Sequence, residues 1–230
     1  MTAAGTIAEV ARELARSVPP PRGAPYFHLD SDLPYDLSVL ASFYGRGIFR
    51  KYEFALELGS GLGGRARWLA VQSGCRILGV DPRPSAVAAA ALLNHRARMD
   101  DRVAFQVGQL QHLPLRARVF THVWMVDVAA PSTLAEIFAE AFRVLRPGGH
   151  LALQCLVPAS ARQALPLDVL QRAGFVEVEV RGALLAELSP ACCAAQKRLR
   201  VALRQQTPEN GTQARPHESQ ALQVFAKRPG

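Results

Sequence analysis

Long hydrophobic runs are missing from this 230-residue sequence. No uninterrupted apolar stretch approaches the ~20 residues that a membrane-spanning helix needs. The first seventeen residues place Val10 and Leu14 among small and charged residues, and so lack the continuous apolar core of a secretory signal. With 49% apolar and 20% charged residues, the composition is that of an ordinary globular domain with a sizeable core. We expect a cytoplasmic protein that neither spans nor anchors in a membrane.

Cysteine is also scarce, and its spacing argues against a metal or redox site. The four cysteines, Cys75, Cys155, Cys192 and Cys193, include no C-x-x-C pair. A disulfide between the two adjacent cysteines would be strained, so packing within a helix is the favoured interpretation. We predict buried thiols and no bound metal.

Lysine is rarer still, since three lysines stand against 24 arginines in a chain of net charge +8. This surplus raises the question of a nucleic-acid partner, for which the distribution of charge matters more than its total. The arginines are scattered, apart from a local cluster within residues 197–204, and no aromatic residues for stacking on bases interleave with that cluster. The pattern disfavours nucleic acid as a partner, although an RNA acceptor stays an alternative.

The most informative segment reads F-A-L-E-L-G-S-G-L-G-G at residues 54–64. The apolar run containing Glu57 predicts a short strand, and the dense glycines predict a sharp turn into a helix. A backbone without Cβ atoms can press directly against a ligand, so such a turn is typical of a nucleotide-cofactor site. Gly59, Gly61 and Gly64 also fit the G-x-G-x-x-G spacing of dinucleotide-binding folds.

Glu57 discriminates between two kinds of cofactor. In a dinucleotide site the pyrophosphate approaches the N-terminus of the helix that follows the turn, and a nearby carboxylate would repel it. A cofactor that carries an amino group and a sulfonium would be attracted instead. The residue therefore favours S-adenosylmethionine.

A second acidic residue lies where ribose recognition requires one. The apolar run Ile77 to Val80 ends at Asp81, about twenty residues after the glycine turn. A carboxylate can accept hydrogen bonds from both hydroxyls of a ribose. Pro82 follows and ends the strand, because it has no backbone donor. We predict that Asp81 binds the ribose.

At this point the sequence resembles the class I S-adenosylmethionine-dependent methyltransferases over roughly residues 40 to 181. The order and spacing of five short motifs carry the resemblance. They are E-L-G-S-G-L-G-G at 57–64, G-V-D at 79–81, V-G-Q-L-Q-H-L-P-L at 107–115, V-W-M-V-D at 123–127 and R-V-L-R-P-G-G-H-L at 143–151. Five weak motifs in one register are far more specific than any one of them.

The resemblance implies a set of cofactor-binding residues spread over four segments. They are Glu57, Gly59, Ser60, Gly61, Gly63, Asp81, Pro82, Gln109, Leu110 and Val126. Two positions depart from the family pattern. Gln109 replaces the aspartate often found beside the adenine, and brings an amide carbonyl without a charge. Thr121 replaces the acid that commonly opens the fourth strand.

The fold expected from the alternation of short apolar runs with helical segments is α/β. We predict a Rossmann-like, doubly wound, seven-stranded and mostly parallel sheet with helices on both faces. The resemblance implies that residues 1–53 form N-terminal helices that act as a lid. Residues 54–230 are predicted to form the cofactor-binding domain, with an insertion at 182–220. Further predicted elements are helices at 134–145, 167–173 and 183–205 and strands at 150–157, 175–180 and 222–226.

Catalytic residues are harder to predict, because a sulfonium methyl group is already activated. The enzyme must mainly align a nucleophile, exclude water and remove a proton where needed. Asp127 follows the fourth predicted strand, at the edge where ligands meet open α/β sheets, and is our candidate to orient the acceptor or accept its proton. His28, His112 and His122 are further candidate bases.

Absent motifs narrow the acceptor. No D/N-P-P-Y-like turn follows the fourth predicted strand, which disfavours amino-methylation of DNA, and no cysteine follows it, which disfavours cytosine methylation of RNA. A small-molecule acceptor is the leading hypothesis. The alternatives are an RNA methyltransferase and a binding protein that keeps the fold without turnover. The sequence leaves the oligomeric state and the methylated atom open.

Overall fold

The structure is a computed structural model that describes residues 6–9, 11–12, 44–45, 49–126, 133–158, 167–183 and 219–230. Most of the predicted lid and most of the predicted insertion therefore lie outside the described residues, as does Asp127. The division into a lid and a cofactor-binding domain stays a prediction.

The described strands form one seven-stranded sheet in the order β3-β2-β1-β4-β5-β7-β6. Neighbours from β3 through to β5 are parallel, whereas β7 runs antiparallel to both β5 and β6. The strands are β1 Phe54–Leu58, β2 Arg76–Asp81, β3 Val103–Val107, β4 Phe120–Val126, β5 Leu145–Pro158, β6 Val176–Ala183 and β7 Ser219–Lys227. The predicted mostly parallel sheet is confirmed.

Helices cover both faces of this sheet. They are α1 Gly64–Ser73, α2 Pro84–Arg96, α3 Leu134–Val144 and α4 Leu167–Arg172. Side chains alternate along β4: Trp124 packs in one core cluster with Leu69 of α1 and Leu93 of α2, whereas Met125 packs in the other with Phe138 of α3. This alternation follows from the twofold period of a strand. The predicted doubly wound arrangement is confirmed.

The strand order creates a switch point beside β1. From β1 the chain passes through α1 to β2 on one side, and β4 lies on the other side, with Leu58 in register with both Val80 and Met125. Ligands of open α/β sheets bind at such a point, outside the carboxyl ends of the strands. The glycine turn, Asp81 and Val126 all lie at this end.

Two segments differ in extent from the sequence prediction. The segment Arg146–Gly149 is predicted as a turn before a strand at 150–157, but β5 already begins at Leu145. The reason is that the end of the chain binds this segment, with Gly148 N donating to Arg228 O (3.0 Å) and Arg228 N to Gly149 O (2.9 Å). Similarly, β6 extends to Ala183 and β7 begins at Ser219, so both ends of the predicted insertion belong to strands.

The amino end of the sheet holds a buried aromatic group around His122. Its ring centroid lies 4.6 Å from that of Phe49 and 5.3 Å from that of His150. Its Nδ1 lies 3.0 Å from Thr121 Oγ1, and the Thr121 hydroxyl also bonds the backbone N and O of Phe54 (3.1 Å each). Thr121 and His122 therefore fasten β4 to its surroundings at the end of the sheet opposite to the glycine turn.

Candidate functional site

The glycine turn, residues 59–63, is tied to the neighbouring strand β2 by backbone hydrogen bonds. Gly59 N and Ser60 N both donate to Val80 O (2.8 and 3.1 Å), and Gly63 N donates to Ser60 O (2.9 Å). Gly59, Gly61 and Gly63 all have positive φ, a conformation that costs other residues energy. The turn is thus a fixed concave backbone surface at the carboxyl end of β1.

Close packing explains the glycines around this turn. A Cβ on Gly63 would lie 2.1 Å from Phe105 Cζ, and a Cβ on Gly79 would lie 2.6 Å from Phe105 Cδ1 and 2.7 Å from Ser60 Cβ. The Phe105 ring of β3 thus supports the turn from below. The glycine of the G-V-D motif serves this close approach rather than contact with a ligand.

Arg67 also supports the turn, a role that no sequence motif indicates. It is fully buried in α1. Its Nη2 donates to Leu62 O at 2.8 Å and its Nη1 to Ala90 O of α2 at 3.3 Å. These contacts join the glycine turn to the next helix and hold both against the sheet.

Asp81 is a buried carboxylate beside the turn. Only 1% of the residue is exposed, and its Oδ2 accepts a hydrogen bond from Gly61 N at 2.9 Å. Burial alone would raise the pKa of Asp81, but hydrogen bonds and charge from Arg83 outweigh burial and hold that pKa below its usual value. The group is therefore ionised at neutral pH, as a receptor for two hydroxyl donors should be.

Glu57 has a charged partner that the sequence does not indicate. It is completely buried, and its Oε1 accepts a hydrogen bond from Arg65 Nε at 2.7 Å. Arg65 Nη2 also donates to Gly59 O at 2.6 Å. Burial raises the pKa of Glu57 to about 7 against the opposing effect of Arg65. The pairing weakens the electrostatic preference that Glu57 alone would give the cleft.

Two buried polar atoms near the turn lack a hydrogen-bond partner among the described residues. They are Glu57 Oε2 and Ser60 Oγ. Buried polar atoms are nearly always hydrogen-bonded, so an unsatisfied pair at one place suits a site that is completed by a ligand. Together with the ionised Asp81, these atoms fit a ligand that offers amino and hydroxyl donors, as S-adenosylmethionine does.

The loop after β3 forms the third side of the site. Gly108 N donates to Asp81 O (3.2 Å), and His112 N donates to Gln109 O (3.2 Å). The side chain of Gln109 is exposed, whereas Leu110 is buried. Gln109 is therefore accessible to a ligand beside Asp81, as the resemblance implies for the adenine.

An ion pair on α3 holds this loop. Glu140 Oε2 accepts a hydrogen bond from Leu113 N (2.7 Å), while Arg143 donates from Nη1 to Leu115 O (2.8 Å) and from Nη2 to Leu113 O (3.1 Å). Arg143 Nε also donates to Glu140 Oε1 at 2.6 Å. The sequence places both residues on the predicted helix, but carries no sign that they position the loop of Gln109.

Glu140→Ala is expected to destabilise the fold by about 1–2 kcal/mol, because it removes a charged acceptor from a backbone donor and from Arg143. It should also weaken cofactor binding severalfold by loosening the loop of Gln109. Chemical unfolding and calorimetry measure the two effects. Asp168→Ala is the control, since its ion pair with Arg172 is exposed (60% and 76% of the side chains) and such pairs contribute little. Equal behaviour of the two variants would contradict the role of Glu140.

The remaining predicted residues are placed as follows. Val126 is buried at the end of β4, next to the position of Asp127, and Pro82 is partly buried after Asp81. His112 lies in the loop after β3, whereas His122 lies at the other end of the sheet. Asp127 and His28 lie outside the described residues, so their roles stay predictions.

Comparison with known proteins adds to this geometry. Residues 56–153 match the sequence model of a family described as a methyltransferase domain. The matched segment runs from β1 into β5 and contains the glycine turn, Asp81 and the loop of Gln109. Residues 56–153 are therefore similar to a methyltransferase domain, in agreement with the predicted resemblance to the class I S-adenosylmethionine-dependent methyltransferases.

Two relatives and one solved structure illustrate what this chain is similar to. The chain is 31% identical over 159 residues to erythromycin 3''-O-methyltransferase of Saccharopolyspora erythraea, covering 55% of this chain and 51% of that protein. It is 31% identical over 96 residues to a sterol 24-C-methyltransferase of Schizosaccharomyces pombe, covering 41% and 25%. The structure of the [4+2]-cyclase SpnF shares its fold, with a TM-score of 0.64 at 19% identity over 84% of this chain and 80% of that one.

The chain thus spans about half or less of the length of these two relatives.

Three further observations concern the part of the chain that the structure describes. None of the helices there is long and apolar enough to cross a membrane. Within the same ranges, no three His, Cys, Asp or Glu side chains come together as a metal site. Cys75 is a buried thiol, and its burial raises the pKa of that thiol.

Proposed function

We propose that this protein transfers a methyl group from S-adenosylmethionine to a small-molecule acceptor. The observation that carries the proposal is the buried, ionised Asp81 carboxylate, bonded to Gly61 N of the glycine turn at the carboxyl end of β2. It lies within the segment that matches the methyltransferase domain family. A carboxylate fixed against a backbone cradle suits the ribose of a nucleoside cofactor.

In this proposal different residues bind different parts of the cofactor. The glycine turn offers backbone surface to the amino-acid part of the cofactor, Asp81 accepts hydrogen bonds from the ribose, and Gln109 and Leu110 face the adenine. Once bound, the cofactor supplies an activated methyl group. Asp127 follows Val126 directly in the sequence, and we propose that it orients the acceptor or takes its proton.

A small-molecule acceptor is supported by the named activities of the relatives, which are an erythromycin 3''-O-methyltransferase and a sterol 24-C-methyltransferase. The two differ in the atom that they methylate, so the proposal extends to the acceptor class and leaves the atom open. A cytoplasmic location belongs to the same proposal, and its support is the ordinary globular composition of the sequence.

The alternative of a binding protein without turnover rests on two departures from the family pattern, Gln109 and Thr121, and the position of Thr121 does not support it. Thr121 departs from the family pattern, but it fastens β4 to Phe54 at the end of the sheet away from the turn. Its replacement therefore has no direct bearing on cofactor binding. Gln109 still supports this alternative, because a neutral amide is a weaker hydrogen-bond acceptor for the adenine than a carboxylate.

A methyl-transfer assay tests the proposal. The purified protein is incubated with methyl-labelled S-adenosylmethionine and a panel of hydroxylated macrolides and sterols, with total RNA as a parallel acceptor. Label in a small molecule, dependent on protein and abolished in Asp81→Asn, is the expected result. Label in RNA alone would overturn the small-molecule assignment. Binding of the cofactor without transfer to any of these acceptors would favour the binding protein.

Cofactor affinity is expected to depend on Glu57 and pH together. Because burial raises the pKa of Glu57 to about 7, despite Arg65, this group gains a negative charge as the pH rises from about 6 to about 8. The charge attracts the cationic donor, so the affinity ratio of wild type to Glu57→Gln should rise by about threefold to tenfold over that interval. Titration of the cofactor's own amino group affects both proteins equally, so it does not change this affinity ratio. A ratio independent of pH would contradict this role of Glu57.

A further inference from the structure

Every acceptor position of Asp81 is already occupied by the protein itself. A carboxylate has about four lone-pair sites. Oδ1 accepts hydrogen bonds from Arg83 N (3.0 Å) and Arg83 Nε (2.9 Å), and Oδ2 accepts from Gly61 N (2.9 Å) and Arg83 Nη2 (3.0 Å). Two of these four donors belong to the backbone and are fixed by the fold. The other two belong to the Arg83 side chain.

The guanidinium of Arg83 also lies beside Gly61 of the glycine turn. Its Nη2 lies 3.9 Å from the point that a Cβ on Gly61 would occupy. The side chain therefore lies beside both Asp81 and Gly61 of the turn, at the place where a ribose would bind Asp81. Arg83 is 20% exposed, so a path from this place into solvent exists. Arg65 differs, since its side chain is only 6% exposed and bonds both Glu57 and Gly59.

We propose that Arg83 is an internal competitor of the cofactor's ribose, and that its side chain must leave Asp81 before the two ribose hydroxyls can bind there. The numbers of donors agree, because departure of Nε and Nη2 releases two acceptor sites for two hydroxyls. The inference rests on the proposed function. It goes further by assigning to Arg83 control over cofactor affinity, through its side-chain contacts with Asp81.

The competition lowers the apparent affinity by the fraction of molecules in which Asp81 is uncovered. Removing the guanidinium should therefore tighten binding, although Arg83 lies at the edge of the site. An ion pair of this exposure contributes modestly, so the expected gain is on the order of fivefold. Salt weakens the ion pair and should bring the wild type closer to the variant. A residue that contacts the bound cofactor directly would give the opposite sign.

The test compares the binding of S-adenosylhomocysteine by calorimetry to the wild type, Arg83→Ala and Arg83→Lys. Arg102→Ala is the control, because Arg102 forms an exposed ion pair with Asp101 at 3.8 Å. We expect Arg83→Ala to bind on the order of fivefold tighter than wild type, Arg83→Lys to lie between them, and Arg102→Ala to match wild type. Weaker or unchanged binding by Arg83→Ala would overturn the inference.

A second readout does not depend on the stability of the variants. In wild-type protein labelled with ¹⁵N-arginine, the Arg83 Nε–H signal, assigned by its loss in Arg83→Lys, should move from a hydrogen-bonded to a solvent-like position on saturation with S-adenosylhomocysteine. A signal that stays in place while the ligand binds would refute displacement and leave the proposed function intact. Failure of both wild type and variants to bind the ligand would overturn the proposed function and, with it, this inference.

Discussion

Asp81→Asn is expected to weaken binding of S-adenosylhomocysteine by about 100-fold or more. The substitution preserves the shape of the side chain and an oxygen that can accept from Gly61 N. It removes the charge and one of the two acceptors that the ribose needs, and hydrogen bonds to a charged group contribute about 1.5–3 kcal/mol each. Calorimetry measures the loss.

Asp101→Asn is the matched control for this prediction. Its side chain is 75% exposed and lies 3.8 Å from Arg102, at the other end of the sheet. The control should bind as the wild type does, and both variants should keep their thermal unfolding transitions. Affinity in Asp81→Asn within a fewfold of wild type would show that the ribose binds elsewhere.

Gly63→Ala is expected to destabilise the protein by about 3 kcal/mol, the largest effect on stability foreseen for a single methyl group. The backbone at Gly63 has φ 78°, which costs an L-residue about 1–2 kcal/mol. The new Cβ would lie 2.1 Å from Phe105 Cζ and 3.0 Å from Arg67 Nη1, and such overpacking adds about 1–3 kcal/mol. Urea unfolding at constant temperature gives the difference.

Gly148→Ala separates the two causes. Gly148 has φ 74°, but nothing lies within 4 Å of the point that its new Cβ would occupy. It should therefore show the backbone cost alone, about 1–2 kcal/mol. Adding Phe105→Leu to Gly63→Ala should recover part of the loss, through a coupling that a double-mutant cycle measures. Equal destabilisation by the two glycine substitutions would show that Phe105 does not constrain the turn.

The glycine turn and the strand end at Asp81 are predictable from the sequence, because glycine and proline have strong local backbone preferences. Gly59, Gly61 and Gly63 have positive φ, which glycine adopts most easily, and Pro82 after Asp81 indicates the end of the apolar strand. The helix predicted at 134–145 is equally clear from the sequence, since Ile137, Phe138 and Ala141 lie on one helical face by their spacing and are buried.

The arginines of the site were not predictable, because a long flexible side chain takes its partner from the tertiary structure. Arg65 lies eight residues after Glu57 and Arg83 two residues after Asp81. The scatter of arginines along the chain nevertheless offers no reason to single them out. Their contacts change the electrostatics of the site. Glu57 and Asp81, which the sequence presents as two open carboxylates, each carry a guanidinium partner.

The extent of the last strands was underestimated for a related reason. The sequence shows where apolar residues alternate, but hydrogen bonding between β5 and β7 continues past the apolar segment, from His150 opposite Lys227 to Pro158 opposite Ser219. Backbone pairing needs no apolar side chain, so the polar ends of these strands had no sequence signal.

The most direct test of the site is a calorimetric titration of the wild-type protein with S-adenosylhomocysteine, with NAD⁺ titrated in parallel. Binding of one S-adenosylhomocysteine per chain, with no heat from NAD⁺, is the predicted result, because the unsatisfied carboxylate oxygen Glu57 Oε2, buried beside the turn, suits an amino group and not a pyrophosphate oxygen. Binding of NAD⁺ with equal or greater affinity, or no binding of S-adenosylhomocysteine, would contradict the assignment of the site.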